Sequence, residues 1–198
     1  FGHNSLKKTF LKPPEGIGIS FDLRSHYFMK KLFTCIQLAP RPKIKFSFER
    51  FGVRNNLGNI LVDLSRFDEA LELFSELLEI EPDNPQVHEN MGLAFFELKN
   101  YDEAIKYFSR SLEIEPRSAE VNFELGNAFI DMGELESART HYQKALLRKP
   151  EYAKANYGLG RVLAMEGQPE EAAKYYLKSI EYDPSMPEAH NNLGIVRA

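Results

Sequence analysis

The sequence has no tryptophan and only one cysteine, Cys35, so it cannot form a disulfide within the chain and nothing in it requires an oxidising compartment. Its uninterrupted apolar runs are only a few residues long, whereas a membrane-spanning helix needs about 20. A secretory leader with a clear cleavage site is not recognisable either. From these absences we expect a cytoplasmic protein without a membrane span, with a periplasmic or membrane-associated setting as the alternative.

The motifs that accompany catalysis, metal binding and nucleotide binding are also missing. The five histidines do not occur at the spacing of metal ligands, and the H-E-x-x-H and G-x-S-x-G motifs are absent. Gly16-Ile17-Gly18 lacks the third glycine of a dinucleotide loop, and Cys35 has no evident activating base. We therefore predict that the chain is not an enzyme and that it binds no cofactor or metal ion.

Positive charge is scarce after residue 50. Residues 1–50 carry 10 Lys and Arg against 3 Asp and Glu, whereas residues 51–198 carry 15 against 26. Breakers such as Pro13-Pro14 interrupt the first segment, which we predict to be an irregular or disordered basic leader. The alternative is a basic arm that docks on an acidic surface. Because the acidic remainder repels phosphate, we expect no nucleic-acid partner.

Glycine recurs with a fixed spacing. Five glycines, each preceded by Leu or Met, follow one another at a constant interval: Gly58, Gly92, Gly126, Gly160 and Gly194. An alanine follows each of the first four, also at a constant distance: Ala70, Ala104, Ala138 and Ala172. An aromatic residue and then a proline come next in the same register: Phe74, Phe108, Tyr142 and Tyr176, then Pro82, Pro116, Pro150 and Pro184. Four positions in one register predict a structural repeat of about 34 residues.

The apolar residues of each unit follow the helical period. Residues 85–98 and 101–114 place apolar side chains three and four positions apart, and Lys99-Asn100 forms a tight connection between them. The small residues at the glycine and alanine positions let two helices approach closely, and the proline ends the second helix. Since each helix pair leaves one apolar face open, the units are stable only when they stack.

This order of Leu-Gly, alanine, aromatic and proline resembles the tetratricopeptide repeat family over residues 51–198. The tryptophan that the family often has at the fourth position is replaced here: Arg54, His88, Asn122, Asn156 and His190. The resemblance implies an all-α, right-handed superhelical solenoid of antiparallel helix pairs, with the poorly defined leader before it. The predicted units are 51–84, 85–118, 119–152 and 153–186, followed by a partial unit, 187–198, that matches a first helix alone.

The resemblance also implies a concave groove lined by the first helices, in which the protein binds a peptide or a partner helix. Amides and carboxylates, with apolar and aromatic residues among them, occupy the positions that would line it: Asn55, Asn56, Asn59, Glu89, Asn90, Leu93, Phe96, Phe123, Glu124, Asn127, Tyr157 and Arg161. Side-chain amides can bind a peptide backbone, but solubility explains the asparagines equally well. The two phenylalanines can instead be core or inter-repeat contacts. The acidic lining favours a basic or apolar partner.

Two known uses of the family bear on this groove. A clamp for a C-terminal carboxylate is disfavoured, because Glu120 and Glu124 stand where Lys and Arg would be needed. The asparagine row instead resembles the superhelix of O-linked N-acetylglucosamine transferases, with interruptions at Glu124 and Gly158. The alternative function is therefore substrate recruitment for such a larger enzyme, whose catalytic domain this chain lacks. The open C-terminal helix also offers a route to self-association, and we expect a second helix and further units beyond it.

Overall fold

The computed structural model describes residues 48–197, and the predicted leader up to residue 47 lies outside the described residues. Within the described range nine helices follow one another: α1 (Phe48–Asp63), α2 (Phe67–Ile80), α3 (Pro85–Glu97), α4 (Tyr101–Ile114), α5 (Ala119–Asp131), α6 (Leu135–Arg148), α7 (Ala153–Met165), α8 (Pro169–Tyr182) and α9 (Pro187–Arg197). The first of them starts shortly before the predicted first unit, and the division of the chain into units stays a prediction.

Consecutive helices pack as antiparallel pairs, and the pairs stack in sequence order. The pairs are α1 with α2, α3 with α4, α5 with α6 and α7 with α8, and α9 packs against α8. Each odd-numbered helix, which we call a first helix, also contacts the next first helix along the chain. The predicted all-α, right-handed solenoid of helix pairs is confirmed.

The close approach inside each pair depends on glycine facing an aromatic ring. A Cβ added at Gly126 would lie 2.5 Å from Cε1 of Tyr142, and one added at Gly160 would lie 2.7 Å from Cδ1 of Tyr176. Both rings are fully buried, as are those of Phe74 and Phe108 in the earlier pairs. The glycine and the aromatic residue of each unit therefore form one contact, in which the ring fills the space that a Cβ would need.

The turn between the two helices of each pair contains one residue with positive φ. The four residues hold equivalent positions in their units: Ser65 (φ 57°), Lys99 (φ 59°), Gly133 (φ 81°) and Gly167 (φ 76°). Glycine adopts this conformation without steric cost, whereas a Cβ opposes it. The pairs thus impose the same turn geometry on serine and lysine as on glycine.

Four of the five polar residues that replace tryptophan at the fourth position bind the start of their own helix or the turn before it, whereas Arg54 bonds Glu76 on α2. His88 Nε2 lies 2.8 Å from the carbonyl oxygen of Pro82, and His190 Nε2 lies 3.0 Å from that of Pro184. Asn156 Nδ2 donates to the carbonyl oxygen of Pro150 at 3.1 Å. In these three units the polar residue ties a first helix to the proline that ends the preceding pair.

Candidate functional site

The first helices α1, α3, α5, α7 and α9 form one continuous layer, because each contacts the next. All twelve residues predicted for the groove lie on the first four of these helices. We call the solvent-accessible side of this layer the groove face. The structure shows how much of each predicted side chain is available there.

Side chains of neighbouring units meet where successive first helices touch. Asn90 Nδ2 donates to Asn55 Oδ1 at 2.8 Å, from α3 to α1. Asn192 Nδ2 donates to the hydroxyl oxygen of Tyr157 at 3.1 Å, from α9 to α7. We call each such place a joint, where the fifth residue of one unit meets the sixth residue of the next. Two of the four joints are therefore closed by a hydrogen bond between side chains.

The joint between α3 and α5 carries two carboxylates instead. Glu89 and Glu124 occupy the equivalent positions, and both side chains are half-buried. Burial raises the pKa of Glu89 above its ordinary value, and the charges of Glu124 and Glu120 raise it further. Burial also raises the pKa of Glu124, although a hydrogen bond from Asn127 and the charge of Lys154 act against the rise. Within residues 51–197 neither Glu89 nor Glu124 forms an ion pair with a lysine or arginine.

Aromatic rings lie beside this carboxylate pair. The ring of Phe123 is 5.2 Å from that of Tyr152 and 5.9 Å from that of Tyr142, measured between centroids. Burial raises the pKa of Tyr152 to about 12, and the charges of Glu124, Glu120 and Glu89 contribute to the rise. The joint therefore combines negative charge with aromatic surface, and one cation of the chain itself, Lys149, already lies 4.9 Å from the centroid of the Tyr152 ring.

Several predicted amides are already engaged within the chain. Asn90 is 3% exposed, and its Oδ1 accepts from Gln86 at 3.4 Å while its Nδ2 binds Asn55. Asn127 is half-buried, accepts from the Tyr142 hydroxyl at 2.7 Å and donates to Glu124 at 3.1 Å. Asn90 therefore joins two neighbouring first helices, and Asn127 joins α5 to the second helix α6.

The other predicted residues differ in exposure. Asn56 is exposed, and Asn59 is half-buried. Leu93 and Phe96 are half-buried and pack against the core around Phe108, with the Phe96 ring edge-on to Tyr101 at 5.6 Å. Leu93 and Phe96 thus present one side to the core and the other to solvent.

Farther along the groove face the charge changes sign. Arg161 on α7 is half-buried, and its Cζ lies 6.0 Å from the centroid of the Tyr157 ring. A cavity opens between α7, α8 and α9, and Arg161 lines it together with the exposed side chains of Met165 and Ile195.

Sequence reasoning missed Asn192, Tyr152 and the cavity. The constant interval between the two members of a joint was present in the sequence. Pairing the fifth residue of each unit with the sixth of the next would have placed Asn192 opposite Tyr157 and Glu89 opposite Glu124.

Within the described range, no three side chains of His, Cys, Asp or Glu come together as a metal site. None of the nine described helices combines the length and the apolar character needed to cross a membrane. The absence of catalysis stays a prediction.

This chain is similar to known proteins both in sequence and in structure. The sequence model of the tetratricopeptide repeat family matches residues 55–119 and 123–187. The chain shares its fold with the MamA protein (24% identity, TM-score 0.66, covering 76% of this chain and 82% of that one). No curated protein matches the sequence at a significant level.

Two further structures with this fold are of proteins with a bound peptide or a peptide-binding site. One is the first repeat domain of Spaghetti bound to an HSP90 peptide (24% identity, TM-score 0.56, covering 57% of this chain and 90% of that one). The other is YrrB, a repeat protein with an unusual peptide-binding site (22% identity, TM-score 0.61, covering 72% of this chain and 74% of that one).

Proposed function

Because this chain belongs to the tetratricopeptide repeat family, we propose that it is a protein-interaction scaffold whose groove face binds a segment of a partner protein. Two proteins of the same fold are described with a bound peptide or a peptide-binding site, which supports this general role. Recruitment of substrates for a larger enzyme would use the same face and stays a prediction.

The observation that carries the proposal is the carboxylate pair at the joint between α3 and α5. Glu89 and Glu124 are half-buried, burial raises the pKa of both, and neither forms an ion pair in the described part of the chain. A lysine or arginine of the partner would supply the missing positive charge. At 4 Å and an effective dielectric constant of about 20, such a pair gains about 4 kcal/mol before desolvation is subtracted.

Apolar contacts on either side of the pair complete the fit. Leu93, Phe96 and Phe123 each keep part of their side chain accessible. A partner segment that places apolar residues beside a basic one would cover them while its cation lies between the carboxylates. We therefore propose a basic and apolar partner segment, whose binding weakens as salt rises.

The test is a selection from a random library of twelve-residue displayed peptides on the immobilised full chain. We expect the retained peptides to contain more lysine and arginine than the starting library. The double variant Glu89→Gln/Glu124→Gln should lose this preference, because both negative charges are removed.

The matched control is Glu136→Gln/Glu181→Gln, which removes two exposed carboxylates from the second helices α6 and α8. It should retain the same basic peptides as the unaltered chain. If both double variants lose the preference equally, general charge attracts the peptides and the groove assignment is wrong. If the unaltered chain retains no peptide above a blank surface, the scaffold proposal itself is refuted.

A further inference from the structure

The cavity between α7, α8 and α9 combines one cation with apolar walls. Its lining includes Arg161, Met165, Tyr176, Asn192, Ile195 and Val196. Met165 is 56% exposed and Ile195 is 66% exposed, so two large apolar side chains face solvent beside it. Ile195 holds the position in the last unit that Arg161 holds in the preceding one, so the two are equivalent residues of neighbouring first helices.

The charge of Arg161 is not neutralised within the described part of the chain. Arg110 bonds Asp83 at 2.6 Å and Arg139 bonds Glu166 at 3.0 Å, whereas Arg161 makes no such contact with a carboxylate of residues 51–197. Its guanidinium instead lies over the Tyr157 ring.

The ring beneath this guanidinium is held in place. The Tyr157 hydroxyl accepts the hydrogen bond from Asn192 that closes the joint between α7 and α9. A guanidinium carries its N–H groups in a planar fork that can bind a carboxylate through two parallel bonds.

We propose that this cavity recognises an acidic residue of the partner segment together with a large apolar residue next to it. The side-chain carboxylate binds Arg161, and the apolar neighbour covers Met165 and Ile195. This inference rests on the proposed function, because it names a second element of the same bound segment.

The distance between the two recognition points fixes the spacing in the partner. The carboxylate pair lies between α3 and α5, and the cavity lies two first helices farther along. Packed helices are about 8–10 Å apart, so the two points are about 16–20 Å apart. An extended chain rises about 3.3 Å per residue, so the basic and acidic residues are separated by about five or six positions.

The same peptide selection tests this inference with the full chain, Arg161→Glu and the control Lys178→Glu. Lys178 is an exposed cation on the second helix α8, so its reversal changes the net charge equally. The unaltered chain and the control should retain peptides with the acidic–apolar pair five or six positions from a basic residue. The peptides that Arg161→Glu retains should carry a basic residue at the position where the other two proteins select an acidic one.

A binding measurement then uses one retained peptide and its analogue with glutamine in place of the acidic residue. With the unaltered chain the analogue should bind about tenfold more weakly, because a hydrogen bond to a charged group is lost. With Arg161→Gln, which adds no charge, the two peptides should bind equally. Circular dichroism at 222 nm checks that each variant keeps its helices.

Three results would count against these ideas in different ways. If the unaltered chain and Arg161→Glu retain the same basic peptides, and these lack the acidic–apolar pair, this inference is wrong. The proposed scaffold function would not be affected by that result. The inference is also wrong if Arg161→Glu still retains peptides with the acidic–apolar pair, because another group must then bind the carboxylate. A failure of the unaltered chain to retain any peptide would overturn both.

Discussion

Alanine substitutions at two equivalent glycines separate the steric role of glycine from its effect on helix propensity. Gly126 and Gly194 hold the same position in their units. A Cβ at Gly126 would lie 2.5 Å from Cε1 of the buried Tyr142 ring, whereas a Cβ at Gly194 would meet nothing within 4 Å. Ordinary contacts between carbon atoms lie at about 3.5–4.0 Å, so the ring must move by about 1 Å to admit Gly126→Ala.

The expected magnitudes follow from these distances. Alanine is more favourable than glycine inside a helix by about 1 kcal/mol, and both substitutions gain this amount. Overpacking a filled contact costs about 1–3 kcal/mol, and only Gly126→Ala incurs this cost. The Tyr142 ring cannot turn freely to relieve the contact, because its hydroxyl donates to Asn127 at 2.7 Å. We expect Gly194→Ala to be more stable than Gly126→Ala by about 1–3 kcal/mol.

Urea denaturation followed by circular dichroism at 222 nm measures both free energies of unfolding. Gly194→Ala should raise the midpoint slightly, and Gly126→Ala should leave it unchanged or lower it. In Gly126→Ala, hydrogen exchange should show the loss of amide protection in α5 and α6, the two helices that form the contact. Equal shifts in the same direction would refute the argument that the glycine and the aromatic ring form one steric contact.

Three further outcomes are expected. Burial lowers the pKa of His141 to about 4, so NMR titration should find its ring neutral at pH 6. Because the unfolded chain takes up this proton more readily, the stability that the neutral ring contributes above pH 6.5 should be lost as the pH falls toward 4. Ser118→Ala should destabilise the chain by about 1 kcal/mol in urea denaturation, because its Oγ caps α5, whereas Ser109→Ala on the exposed face of α4 should have little effect. Asn90→Ala should cost about 1 kcal/mol by the same assay, because it removes the side-chain bond to Asn55, and an unchanged midpoint would show that this joint does not hold the helices together.

The fold could be predicted because it rests on short-range steric requirements that each unit repeats. Gly92 and Phe108 lie in the two helices of one pair and touch in the structure, and the same spacing recurs in the other three full units. Such a contact involves one helix pair only. Its residue types therefore appear directly as a period in the sequence.

The groove face was less predictable, because its chemistry depends on contacts between units. The sequence placed Asn90 on a first helix, but only the packing of α3 on α1 shows that its amide binds Asn55 and is 3% exposed. In the same way the bond from His88 to the Pro82 carbonyl depends on how the preceding turn approaches α3. An asparagine or histidine can serve either purpose, so residue type does not decide between them.

The division of each joint between two units has an evolutionary consequence. Unequal recombination that removed residues 119–152 would keep every glycine, alanine and aromatic position in register, so the solenoid would still stack. It would, however, bring Glu89 opposite Gly158 in place of Glu124 and leave that joint with a single carboxylate. Gain or loss of one whole unit therefore changes the number of carboxylates that the groove face presents, without any change of residue in the units that remain.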